Sequence, residues 1–130
     1  MTAFLKRFRG ETYALMRIVT GFLFLWHGSQ KLIGVPLAAS EAPAFIIYIA
    51  GPIELIGGIF VTIGLLTRWA AFLCSGLMAV AYWLGHGTKE LLPLLNGGEL
   101  AALYCFVFLF IAANGAGIWS VDAARDKLAA

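Results

Sequence analysis

Gly51-Pro52-Ile53-Glu54-Leu55-Ile56-Gly57-Gly58 lies inside a run from Phe45 to Leu66 in which Glu54 is the only charged residue. An apolar run of this length reads as a transmembrane helix. Glu54 then falls near the bilayer midplane, where an acidic side chain costs roughly 2.5–3.5 kcal/mol on insertion scales. What offsets that cost decides both the packing of the chain and its function.

The composition agrees with a bilayer as the main solvent. Of 130 residues, 62% are hydrophobic and only 12% are charged. Soluble domains average about a quarter charged residues. The net charge of +2 is small and is not gathered on one face, which argues against a nucleic-acid partner and leaves the lipid bilayer as the expected one. Cys74 and Cys105 each sit in an apolar run without CxxC or metal-type spacing, so both read as small buried side chains.

Working outward, three further runs emerge. The first span covers 12–33, ended by Gly34 and Pro36. The second covers 44–66. Thr67-Arg68 reads as a tight turn, and the third span covers 69–84. Gly85-His86-Gly87-Thr88-Lys89-Glu90 connects to a fourth span over 91–113, with Pro93 in its first turn. Ser120 reads as the cap of a short polar helix reaching Lys127. Lys6, Arg7 and Arg9 before an apolar run resemble a secretory leader, with Leu37-Ala38-Ala39-Ser40 as a cleavage-like segment. Arg17, His27 and Lys31 inside the run, and the spans that follow, favour an uncleaved first helix. The expected fold is all-α: one domain over 1–130, an antiparallel four-helix transmembrane bundle. Lys6, Arg7, Arg9, Arg68, Arg125 and Lys127 fall on one side against Lys31 and Lys89 on the other, which places both termini in the cytoplasm.

The two halves look like a degenerate repeat. Trp26-His27-Gly28-Ser29-Gln30-Lys31-Leu32 is echoed by His86-Gly87-Thr88-Lys89-Glu90-Leu91, and Gly51 to Leu55 by Gly97-Gly98-Glu99-Leu100.

Counting about 1.5 Å per residue from the outer span ends places His27, Glu54 and Glu99 within roughly 6 Å of one another along the membrane normal. Asn96 is slightly shallower, Arg17 deeper and Lys31 above. Such groups must face the bundle interior. One use for them is interhelical pairing, Glu54 with Arg17 and Glu99 with His27 or Lys31. Another is an outward-facing ligand site of His27, Glu54, Glu99, Asn96 and Trp26, with Phe22, Tyr48, Trp83 and Tyr104 as further aromatic walls. A small ring such as a quinone suits an apolar cavity with a few converging polar groups, and a histidine with a carboxylate can exchange protons with its oxygens. A metal site of His27, Glu54, Glu99 and His86 has no supporting ligand spacing, so no metal is expected. A proton or ion path through the same layer is the remaining use, although four spans leave little room for alternating access.

Read in order, these segments resemble the DoxX family of small bacterial membrane proteins. The resemblance rests on Arg17 followed by Gly21-Phe22-Leu23-Phe24-Leu25-Trp26-His27-Gly28-Ser29-Gln30-Lys31-Leu32. It continues through Gly51 to Gly58, Gly64-Leu65-Leu66-Thr67-Arg68-Trp69-Ala70-Ala71 and Asn96-Gly97-Gly98-Glu99. It implies a multi-pass protein of the bacterial inner (plasma) membrane. The family takes its name from subunits of an archaeal thiosulfate:quinone oxidoreductase, and other members are linked to quinone or thiol stress. The resemblance therefore implies support of a redox process, with a quinone as the expected small molecule and redox subunits as expected partners. The alternative is a non-enzymatic scaffold or accessory subunit. No catalytic residue follows from it. The chain carries no haem, flavin, nucleotide or iron–sulfur signature, so electrons would come through a bound molecule or a partner.

Overall fold

The computed structural model describes residues 2–37 and 41–130. The Ala38-Ala39-Ser40 part of the cleavage-like segment lies outside them. The described chain is helical throughout: α1 (Thr2–Arg7), α2 (Arg9–Ile33), α3 (Ala44–Ile63), α4 (Thr67–Tyr82) running into a π-helical turn (Trp83–Gly87), α5 (Pro93–Asn96), α6 (Glu99–Asn114) and α7 (Val121–Ala129). Two stretches, Ala44–Ile63 and Thr67–Gly87, are long and apolar enough to cross a membrane, and α6 is a shorter apolar helix.

Helix ends follow local chemistry. Gly34 (φ 66°) and Gly64 (φ 71°) stop α2 and α3 in the left-handed conformation that glycine adopts without a Cβ penalty. α3 therefore ends at Ile63, not at the expected residue 66. Thr67 and Arg68 do not form the turn. They open α4, because Asp122 caps them from a distance. Its Oδ1 accepts from the Leu66 N–H, and its Oδ2 accepts from the Thr67 N–H and hydroxyl, each at 2.9 Å. Ser120 caps α7, accepting from the Ala123 N–H at 3.2 Å.

The expected fourth helix over 91–113 is in fact two. Asn96-Gly97-Gly98 breaks it, with Gly97 at φ 70°. The Asn96 Oδ1 accepts from the Gly98 N–H at 2.7 Å, and its Nδ2 donates to the Tyr82 hydroxyl and the Glu90 carbonyl. Asparagine before two glycines offers the backbone a turn in place of the helical ladder.

α2 packs mainly on α3, and α4 mainly on α6; the two hairpins meet along α3 and α4. Their shared core joins Phe24 of α2, Val61 of α3, Cys74 and Met78 of α4, and Tyr104, Phe108 and Ile111 of α6. The outward faces are apolar too: Ile49, Phe72, Leu73 and Phe106 are all exposed. A surface of this kind is matched to lipid.

The α2–α3 contact depends on glycine. A Cβ at Gly28 would lie 2.3 Å from the Leu55 nitrogen and 2.6 Å from the Gly51 carbonyl oxygen. Those atoms are backbone and cannot rotate away, so Gly28→Ala must push the helices apart. We expect a loss of about 2 kcal/mol or more, read as a lower midpoint in denaturing-detergent titration.

The two hairpins also resemble each other at the end opposite to the echoed segments. Arg17 on α2 donates to the Val61 and Thr62 carbonyls of α3, and Arg68 on α4 donates to the Ala112 and Ala113 carbonyls of α6. The contacts span 44 and 45 residues in both cases. In each hairpin an arginine of the first helix thus satisfies carbonyls that the second helix leaves open at its C-terminus.

Asp122 makes this end acid-sensitive. Burial pushes its carboxyl pKa up, but donation from Thr67 and Leu66, with Arg125 nearby, outweighs burial and holds it below the usual aspartate value. A carboxyl with a depressed folded pKa contributes stability above its unfolded pKa and loses it as pH falls through the folded value. Melting curves of the wild type should therefore drop below about pH 4. Asp122→Asn should melt lower at pH 7 and show a flatter acid limb.

Candidate functional site

The sequence singled out Glu54 for its unmet charge, and Lys31 meets it. The Lys31 Nζ lies 2.6 Å from the Glu54 Oε2. Lys31 occupies the last turn of α2, where a cation also favours the helix dipole, and its long stem lets the ammonium reach down to α3. Gly51 lets Leu32 and the Lys31 stem lie close against α3.

Arg17 does not take part. Its side chain is fully buried, and its two terminal guanidinium nitrogens donate to the Val61, Thr62, Ile118 and Trp119 carbonyls, while Nε has no partner among the described residues. The expected Arg17–Glu54 pairing is replaced by Lys31–Glu54. Depth along a helix says nothing about which way a side chain points, and Arg17 finds open carbonyls at its own level.

Above the Phe24–Tyr104–Phe108 cluster lies a cavity of about 230 Å³ between α2, α3, α4, the π turn and α6. Its polar lining is His27, Glu54, His86 and Tyr104; Met78 and Leu100 are among its apolar walls. Glu54 is only 4% exposed, and its Oε1 makes no hydrogen bond to the described residues. His27 likewise has no hydrogen bond to them and sets its ring edgewise against Tyr104 at 6.1 Å. His86 is held by its Nδ1, 2.9 Å from the Asn96 carbonyl oxygen. That oxygen can only accept, so Nδ1 is the donor, which in the neutral tautomer leaves the lone pair on Nε2. π turns of this sort often occur at functional sites, because the extra residue re-aims a side chain.

The remaining expected site residues fall elsewhere. Glu99 opens α6 and is exposed, because the break at Gly97-Gly98 puts it at a helix start instead of inside a span. Asn96 organises the connection and reaches the site only by fixing His86. Trp26 is exposed and packs edgewise on Phe22. Phe22, Tyr48 and Trp83 also face outward, so Tyr104 is the one proposed aromatic wall that lines the cavity. His86 is the residue that reading the sequence undervalued. The sequence puts it in the connection between two spans, where its flanking Gly85 and Gly87 are the available signal of an unusual turn.

Two other hollows do not compete for this role. A crevice of about 570 Å³ lies at the opposite end beside Arg68 and α7, where the Arg68 guanidinium is already bonded to carbonyls of α6. A groove of about 310 Å³ on the outer face of α3 and α4 is lined by apolar residues such as Ile56 and Trp69 and brings no ionisable group.

Comparison with known proteins follows the same segments. Residues 12–87 match the family model described as DoxX. An uncharacterized protein of Haemophilus influenzae is 38% identical over 125 residues, covering 91% of this chain and 93% of the relative. A Bacillus subtilis protein named "Putative oxidoreductase CatD" is 32% identical over 114 residues, covering 72% of this chain and 85% of the relative. No solved structure matches the chain.

Proposed function

The chain belongs to the DoxX family, and from that premise we propose that it is a redox-supporting protein of the bacterial inner membrane whose cavity holds the ring of a quinone-type molecule. In this reading α2, α3, the α4–π helix and α6 form a four-span bundle with both termini cytoplasmic, so the cavity lies in the outer half of the membrane. The observation that carries the proposal is the convergence of Glu54, His27, His86 and Tyr104 on one small, otherwise apolar cavity. Apolar walls hold a ring, and the polar groups orient its oxygens and exchange protons with them. Electrons come from or go to a partner subunit, since the chain's own side chains supply no electron carrier. The oxidoreductase name of the Bacillus relative supports the redox part of the reading.

The scaffold reading draws on one observation: Glu54 already has a partner in Lys31. Melting separates the two. Purified protein in nanodiscs should melt several degrees higher with tetramethyl-1,4-benzoquinone or its hydroquinone, and Glu54→Gln should reduce the larger of the two shifts. A melting temperature indifferent to both ligands, with Glu54→Gln merely less stable, would favour the scaffold.

A further inference from the structure

We propose that the cavity is built for the reduced, hydroxyl-bearing partner of such a couple: a hydroquinone or related diphenol is bound in preference to the quinone. This rests on the reading that the cavity holds such a ring, and it names the form of that ring.

The argument is a count of donors and acceptors. The Asn96 carbonyl fixes the His86 Nδ1 as a donor, leaving Nε2 of the neutral ring as an acceptor on a residue that lines the cavity. The Glu54 Oε2 receives the Lys31 ammonium, which leaves Oε1 as a second acceptor with no partner among the described residues. Glu54 is 4% exposed, so what reaches Oε1 must come through the cavity. His27 and the Tyr104 hydroxyl have no hydrogen bonds to the described residues, and each can donate or accept. The polar lining therefore has two fixed acceptors, two adaptable groups and no fixed donor.

A quinone offers only lone pairs. Against Oε1 and Nε2 it leaves both unmet, and an acceptor that a bound ring shuts off from water without offering a donor is costly. A hydroquinone of the same skeleton brings two O–H donors. Polar sites of this kind discriminate strongly against an analogue that lacks the matching hydrogen.

The test uses one carbon skeleton in two oxidation states. Wild-type protein in phosphatidylcholine nanodiscs is titrated anaerobically with tetramethyl-1,4-hydroquinone and with tetramethyl-1,4-benzoquinone, each corrected for partition into empty discs. The hydroquinone should bind on the order of tenfold more tightly, the factor expected when one acceptor is met instead of left bare. Glu54→Gln converts an acceptor into an amide that can donate, and His86→Phe removes the other. Each variant should bring the ratio toward unity, and folding of each is checked by its melting transition. Equal or tighter binding of the quinone overturns the preference while leaving the site itself standing. A ratio unchanged in both folded variants overturns its assignment to these residues. Binding of neither molecule removes the reading of the cavity and this inference together.

Discussion

Arg17→Met is expected to cause one of the two largest losses of stability among single substitutions in this chain, about 4 kcal/mol or more, and to release the C-terminal segment from α3. The guanidinium is fully buried and donates at 2.7 Å to both Val61 and Thr62 and at 2.8 Å to Trp119, with a longer bond to Ile118. Hydrogen bonds to a charged donor are worth about 1.5–3 kcal/mol each, but they are not additive when one group makes them all. Methionine fills much of the volume and meets none of the carbonyls. The 117–119 turn, which Arg17 ties to the end of α3, carries Ser120 and with it α7. Loss of Arg17 should therefore also loosen the Asp122 cap on α4. Arg17→Lys should recover little, because one ammonium cannot reproduce a planar fork between two backbone segments. Denaturing-detergent titration gives the stability loss, and faster amide exchange at Leu66 and Thr67 reports the freed cap. A melting temperature unchanged in Arg17→Met would contradict this role.

The second large effect is asymmetric. Lys31→Met should cost about 3–5 kcal/mol, whereas Glu54→Gln should cost distinctly less. The two side chains differ in what each can do alone: Lys31 is 18% exposed and Glu54 5%. Without Glu54, the lysine can extend from the last turn of α2 toward the interface and regain water. Without Lys31, the carboxylate stays between helices with no cation in contact. It must then take up a proton or open the packing. Comparing the two variants by the same titration checks the ordering. A double variant, Lys31→Met with Glu54→Gln, should be more stable than Lys31→Met alone, because the orphaned charge is gone.

Much of this was legible in the chain itself, and the failures share a cause. The end of α2 follows from Gly34, and the short C-terminal helix follows from Ser120, whereas Gly64 ends α3 before the expected residue 66. Glu54 stood out because an acid among apolar residues needs a partner. The identity of that partner was not legible. Depth along the helices suggests Arg17 for Glu54 and Lys31 for Glu99, and only the azimuth of each side chain makes Lys31 the partner of Glu54. The Asn96-Gly97-Gly98 break was hidden by the apolar residues on either side, which read as one continuous span. That error carried Glu99 into the polar layer and left His86 in a connecting segment. The Asp122 cap joins residues 55 and 56 apart in sequence, a long-range contact that local pattern does not carry. The pairing of Gly28 with the backbone at Gly51 and Leu55 is likewise a long-range contact that only the structure shows.

The central claim is that the cavity between His27, Glu54, His86 and Tyr104 holds a quinone-type ring. Its most direct test is solvent extraction of protein purified from native membranes, followed by quantification of bound quinones. The comparison is Ala101→Phe, which adds bulk to the cavity lining without removing a polar group. Wild-type protein should carry close to one such molecule per chain after washing, and the folded Ala101→Phe variant should carry almost none. Equal amounts in both, or only traces in the wild type, would contradict the account.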